Sequence, residues 1–195
     1  MTERQSSRRS ESSRQAIRDA TLELMREGGI AALSMEGIAA RAGVGKTTIY
    51  RWWPSKGAVA VEALLDAASP GIRFPARGDS VWADLRELLI GIAGLMSDPV
   101  LGPHFAGVIA LTQMDQAAAT AFRERVLGPT WVAYYQRLVD LQARGELNGE
   151  PDDVLDMAFG PLWYRLLTRP DQLDEEFAST VAAALIRAFA QESAD

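Results

Sequence analysis

The sequence predicts an all-α protein, and three observations carry that prediction. Apolar residues recur at spacings of three and four, and no run alternates strictly in twos. No hairpin dipeptide stands between two β-branched runs. Gly and Pro punctuate the chain at helix-sized intervals, as at Gly28-Gly29, Pro54, Asp98-Pro99, Gly102-Pro103, Gly128-Pro129, Pro151 and Arg169-Pro170. No internal repeat is present.

The elements follow in order. Residues 1–11 are polar and rich in Arg and Ser, and read as a flexible basic arm. A first helix is expected from Ser12 or Ser13, where Ser12 and Gln15 have capping-box spacing. Ile17, Ala20, Thr21, Leu24 and Met25 follow at helical spacing, and Gly28-Gly29 ends the helix. Ser34 caps a short second helix with Met35, Ile38, Ala39 and Ala42 inside and Glu36 in its first turn. Gly43-Val44-Gly45 makes a tight turn, a third helix runs from about Lys46 to Trp53, and a fourth starts near Ser55. Residues 69–79, with two Pro and two Gly, form the expected linker. Further helices are expected over roughly 80–97, 103–114, 116–127, 129–144, 152–168 and 171–191. The predicted organisation is arm 1–11, a first helical domain over 12–68, linker 69–79 and a helical body over 80–195.

Composition narrows the chemistry. The 195 residues are 48% hydrophobic and 24% charged, enough to bury a sizeable core. The absence of Cys excludes disulfides, thiol catalysis and Cys-ligated metals, and the single histidine, His104, excludes any site needing two imidazoles. No metal and no cofactor is expected. No Ser/His/Asp arrangement is recognisable, and the acidic pairs Asp152-Asp153 and Glu175-Glu176 sit at helix starts, where the dipole accounts for them. An enzyme is not expected.

The net charge of −6 conceals an asymmetry. Residues 1–56 hold 10 Lys+Arg against 6 Asp+Glu, leaving 10 basic and 20 acidic residues for 57–195. A basic N-terminal quarter on an acidic body suits a nucleic-acid partner for the first part only. The longest uncharged run, 16 residues from Pro99 to Met114, contains two Pro and His104 and is too short to span a bilayer. The opening MTERQSSRRSESSR has no apolar export core. A cytoplasmic protein without a membrane partner is the expectation.

Residues 34–53 have the order of a helix-turn-helix, in which the second helix enters the major groove. Lys46, Thr47, Thr48, Tyr50 and Arg51 give that helix charge, hydroxyls and an aromatic donor, with Ile49 and Trp53 as its inward anchors. A competing pattern runs from Ala40 to Gly45-Lys46-Thr47. It nearly matches a nucleotide phosphate-binding loop, with Ala in place of the first Gly. That loop needs a preceding strand, and a capped helix precedes it here.

The stretch SMEGIAARAGVGKTTIYRWWPSK resembles the tetracycline-repressor (TetR) family of one-component regulators. ARGEL at 143–147 and GPLWYRLL at 160–167 resemble the C-terminal ligand-binding and dimerisation domain of that family. The resemblance implies that Lys46, Thr47 and Tyr50 face the major groove. It implies that Ser34, Thr48, Trp52 and Lys56 touch phosphates, the last at the start of a helix whose N–H groups favour an anion. Arg51 is a candidate base reader. Arg8, Arg9 and Arg14, with Arg4, suit an arm that tracks phosphates or the minor groove. A ligand pocket in the body, drawn from Trp82, Met96, Phe105, Met114, Trp131, Tyr135 and Trp163, is also implied.

A short recognition helix reads few base pairs, so a homodimer on a near-palindromic double-stranded operator is expected. Leu155, Phe159, Leu162 and Leu166 run down one of the last two helices, and Phe177, Val181, Leu185 and Phe189 down the other. These stripes are the expected dimer interface, as a four-helix bundle. The functional expectation is a repressor released by a small, largely apolar effector. The alternative is a constitutive DNA-binding dimer.

Overall fold

The computed structural model of the chain describes residues 3–68, 78 and 80–191. The described residues form α-helices and no strand; a single bridge pairs Leu147 with Ala190. No helix among them is long and apolar enough to cross a membrane. They divide into two compact units.

The first unit takes the chain up to Ala68 together with Pro103–Val126. It contains α1 (Glu3–Gly28), α2 (Met35–Ala42), α3 (Lys46–Tyr50) and α4 (Lys56–Ala68), with a 3-10 turn over Ile30–Ala32 after α1. It also contains nearly all of α6 (Gly102–Thr112) and α7 (Gln116–Phe122), after which the chain widens to a π turn over Arg123–Leu127. The second unit holds α5 (Val81–Met96), α8 (Gly128–Ala143), α9 (Pro151–Thr168) and α10 (Glu175–Phe189).

Helix α1 begins nine residues earlier than its capping signal, so residues 3–11 are helical and not a flexible arm. The segment ERQSSRRSE has no Gly or Pro, and Arg, Gln and Glu are good helix formers. With no breaker, the helix propagates backwards through Ser12 and Ser13. Helix α3 ends at Tyr50, with Arg51 and Trp52 in the following turn. The last helix begins at Glu175 because Asp174 caps it, its carboxylate accepting from the Phe177 amide at 2.8 Å.

Residues 103–126, read from the sequence as part of the body, pack in the first unit. The physical reason lies in α4. Its residues Gly57 to Leu64 are all buried, so no stripe is left for water. Helix α1 covers part of α4, and α7 covers another. At Gly57 a Cβ would lie 2.7 Å from the Cβ of Ala118, so glycine admits this close approach. Of the expected linker, Gly78 is among the described residues and the others lie outside them.

In the second unit, α5 packs against α8, α9 and α10 over Leu85, Leu88, Leu89, Leu138, Leu155 and Leu162. Buried Asp84 accepts from Arg137 at 2.6 Å and from the Gly78 amide at 2.9 Å. Burial, with Asp84 beside it, pushes the neighbouring Tyr134 phenol up to about 12. Helix α9 carries Pro161 in its interior, directly after Gly160.

Candidate nucleic-acid interface

The interface candidate starts from a cap. Ser34 Oγ accepts from the Gly37 amide at 3.0 Å and starts α2, leaving its hydroxyl proton free for an anion. Gly43 ends the helix at φ 66°, a left-handed conformation that glycine adopts without strain, and its amide bonds back to Ala39 and Ala40. The turn is therefore tight, and α3 follows from Gly45. Ile49 on α3 and Trp53 just beyond it are buried. Lys46, Thr47 and Tyr50 face outward, Tyr50 being 53% exposed, and Thr48 is half-buried. A large aromatic held in water on a charged helix has no packing role to explain it.

The two tryptophans divide the work. Trp53 meets Trp52 edge-on at 5.7 Å between ring centres, and its indole N–H donates to Glu62 at 3.0 Å. Trp52 is half-buried and carries the Arg51 guanidinium over its ring at 4.4 Å. Arg51 is exposed, and this stacking leaves its N–H edge available while limiting its conformers.

Glu62 is the centre of the first unit. It accepts from Arg14 at 3.0 Å and from Arg18 at 3.1 Å, and pairs with Arg125 at 3.3 Å. Burial opposes its charge, but the Trp53 indole and the three guanidiniums outweigh burial and hold its carboxyl below the ordinary range. Arg18 also pairs with Asp66 at 2.5 Å. One carboxylate thus ties α1, α4, the turn after α3 and the π turn together.

Three expected phosphate contacts are therefore engaged differently. Arg14 is not an arm residue: it lies on α1, paired with Glu62, its guanidinium near Trp53. The helix carries it inward one turn before Arg18. The Lys56 ammonium donates to the Leu33 carbonyl at 2.7 Å, closing the turn that follows α1. The first amides of α4 already face a carboxylate. Asp115 caps α7 through the Ala117 and Ala118 amides at 3.0 and 3.1 Å and also meets Ser55 and the Gly57 amide. Burial opposes the Asp115 charge, and those donors still hold its carboxyl low. The side chains of Arg4, Arg8 and Arg9 lie outside the described part of the structure.

The expected pocket and interface residues are also placed. Met114 is 82% exposed just beyond α6, because it falls in the turn before Asp115. Met96 and Phe105 are core residues of different units. Trp82, Trp131, Tyr135 and Trp163 are half-buried in the second unit, with Trp131 stacked on Tyr135 at 6.1 Å. Leu155, Leu162, Leu166, Val181, Leu185 and Phe189 are buried within their own chain, and Phe159 and Phe177 are half-buried. The helices that carry these stripes pack on α5 and on one another, so the buried members are already covered within the chain. The exposed apolar residues of the same helices are Met157, Tyr164, Leu167 and Ile186.

The described order of capped helix, left-handed glycine and short exposed helix agrees with similarity to known proteins. A model of bacterial regulatory proteins of the tetR family matches residues 17–63, and a tetracyclin repressor-like C-terminal domain matches residues 75–185. The chain belongs to the TetR family. An uncharacterized HTH-type transcriptional regulator, YdeS of Bacillus subtilis, is 30% identical over 171 residues, covering 87% of this chain and 85% of that protein. A DNA-binding transcriptional repressor TetR of Mycobacteroides abscessus is 30% identical over 179 residues, covering 87% and 89%. The crystal structure of the TetR family transcription regulator SCO0332 superposes with a TM-score of 0.70 at 30% identity, covering 90% of this chain and 97% of that one. This is a helix-turn-helix transcriptional regulator, of a family whose members are typically repressors, bind DNA as dimers and respond to small molecules.

Sequence reasoning missed Arg18, Glu62 and Arg125. The signal for Glu62 was present: it is the lone charge in the apolar run GAVAVEALL, where a solvated face has no room. Nothing local marks Arg125 as its partner, because the pairing depends on how α7 packs.

Proposed function

We propose that the protein is a homodimeric repressor of a near-palindromic operator, released by a small, largely apolar molecule. The observation that carries the reading is the exposure of Lys46, Thr47 and Tyr50 on a five-residue helix whose opposite side, with Ile49 and then Trp53, is buried. Such an element presents base-reading groups at fixed positions. Arg51 and the Ser34 hydroxyl flank it. The second copy docks on the exposed face of α9 and α10 at Met157, Tyr164, Leu167 and Ile186. The operator then carries two half-sites, about 34–36 Å apart or a multiple of a turn. The effector sits among the half-buried aromatics Trp82, Trp131, Tyr135 and Trp163, and the acidity of the body favours a neutral or cationic compound.

An electrophoretic shift with the DNA around the protein's own gene tests the first part. Binding weakens steeply with salt, by about 0.9 per phosphate contact on a log–log plot. Tyr50→Ala changes the sequence preferred. A shift insensitive to both salt and Tyr50 would sink the reading. Tryptophan fluorescence follows effector binding with and without operator. A releasing ligand binds the DNA complex more weakly, by linkage. If ligands quench the tryptophans and leave DNA affinity unchanged, the protein is a constitutive DNA-binding dimer.

A further inference from the structure

Between Ser34 and Lys56 the chain has four cationic side chains, Arg41, Lys46, Arg51 and Lys56, and one carboxylate, Glu36. A surface that meets a polyanion gains from each cation and loses from a carboxylate, so Glu36 calls for a reason. It is not turned away from solvent. The side chains of Glu36 and Lys46 are 67% and 53% exposed, and the Lys46 ammonium lies 2.8 Å from Glu36 Oε1. The bond joins the first turn of α2 to the first residue of α3, which leads the recognition segment. The other cations are engaged elsewhere: Arg41 by Glu23 and Glu27 on α1, Lys56 by the Leu33 carbonyl, and Arg51 over Trp52.

The Lys46 hydrogen bond holds the Glu36 carboxyl below its ordinary range. At neutral pH the pair is a donor and an acceptor side by side at 2.8 Å. In the major groove a G·C pair offers guanine N7 and O6 as acceptors and cytosine N4 as a donor. O6 and N4 are themselves joined by the base-pair hydrogen bond, about 2.9 Å long. The protein pair and the base edge therefore have matching spacing and opposite polarity. An A·T pair fits worse. Its N6 donor lies between two acceptors, N7 and O4, so a carboxylate reaching N6 also meets the N7 lone pair.

We propose that Glu36 and Lys46 act as one unit that reads a G·C base pair in each half-site. Lys46 donates to guanine O6 and N7, and Glu36 accepts from cytosine N4. The unit rests on the reading of α3 as the recognition helix. It also lowers affinity for arbitrary DNA, because Lys46 reaches a phosphate only by leaving Glu36, whose charge then faces the backbone.

Selection of binding sites from a random DNA library, run with the full-length wild type, Glu36→Ala and Tyr50→Ala, tests the proposal. Wild-type sites carry one G·C position per half-site that Glu36→Ala no longer selects, a loss of about 5- to 150-fold against the best alternative base pair. Glu36→Ala also steepens the log–log salt dependence by about 0.9, as Lys46 is released to a phosphate. A helix-stabilising role alone moves the melting temperature and leaves the selected bases unchanged. Identical selected sites for wild type and Glu36→Ala, with an altered profile for Tyr50→Ala, would overturn the Glu36–Lys46 unit while leaving the recognition helix standing. A wild type that selects no sequence would overturn both.

Discussion

Among the described residues, the interior of the first unit holds Arg18, Thr21, Glu62 and His104 beside its apolar side chains, whereas Asp84 is the buried charge of the second. The first unit thus fixes its helices with directional bonds. Glu62 accepts in several directions at once, and moving α1, Trp53 or α4 breaks a charged hydrogen bond. The second unit has a smaller site of this kind, Asp84 with Arg137 and the Gly78 amide, and between α5, α9 and α10 relies more on apolar packing, which tolerates small shifts more readily than a hydrogen-bond network does. The difference suits the two tasks proposed above: base reading by α3 would need an orientation held within narrow limits, and binding of a small molecule in the second unit would need an interior able to adjust.

Removing the centre of the network is the hardest test of that contrast. Glu62→Ala leaves Arg14, Arg18 and the Trp53 indole without their shared partner and is expected to cost about 3–5 kcal/mol, as for a broken buried ion pair. Urea unfolding followed by tryptophan fluorescence measures it. A loss below about 0.5 kcal/mol, the size of a surface change, would mean that the network is ornamental to stability.

The matching test in the second unit is Leu162→Ala. A cavity at this fully buried residue is expected to cost about 2–5 kcal/mol. Sedimentation at protein concentrations where the fold persists should still show a dimer. A monomer that remains folded would return the Leu155–Leu162–Leu166 stripe to the interface. Tyr164→Glu, on the exposed face, is expected to do the reverse, weakening the dimer with little change in subunit stability.

Acid gives the smallest effect and sharpens the contrast. Burial first, then the nearby Arg26 charge, lowers the His104 pKa from its ordinary 6.5. The unfolded chain then binds the proton more readily than the folded one. Stability is whole above 6.5 and falls as the pH drops from there toward the folded value. Thermal melts at about pH 7.5 and about pH 5.5 should show the loss in the wild type and a reduced loss in His104→Gln. Equal losses would place the acid sensitivity elsewhere.

Most helix positions were legible because their signals are local. Ser34, Gly43 and Pro54 act within one turn of where they stand, and the structure uses the first two as cap and left-handed stop. The outward set Lys46, Thr47 and Tyr50 came from the resemblance to the TetR family, and the inward anchors Ile49 and Trp53 from the residues themselves. Two readings that the structure changes share a cause. The α9 and α10 stripes were read as a dimer interface, but a stripe has the same spacing whether its cover is the same chain or another. Arg14 looked like a free cation because its partner lies 48 residues away. The start of α1 went astray for a different reason: a capping box at Ser12 permits a start without forbidding one farther upstream.

Pro161 gives α9 a seam. A proline offers no amide, so the Met157 carbonyl, one turn earlier, lacks its helical partner. Opening the helix there breaks one bond fewer than opening it elsewhere, and Gly160 adds backbone freedom beside it. In amide hydrogen exchange, α9 would behave as two short protected blocks on either side of Gly160 instead of one long one. The face it exposes, with Met157 before the seam and Tyr164 and Leu167 after it, can then adjust its curvature to what lies against it without unfolding either half.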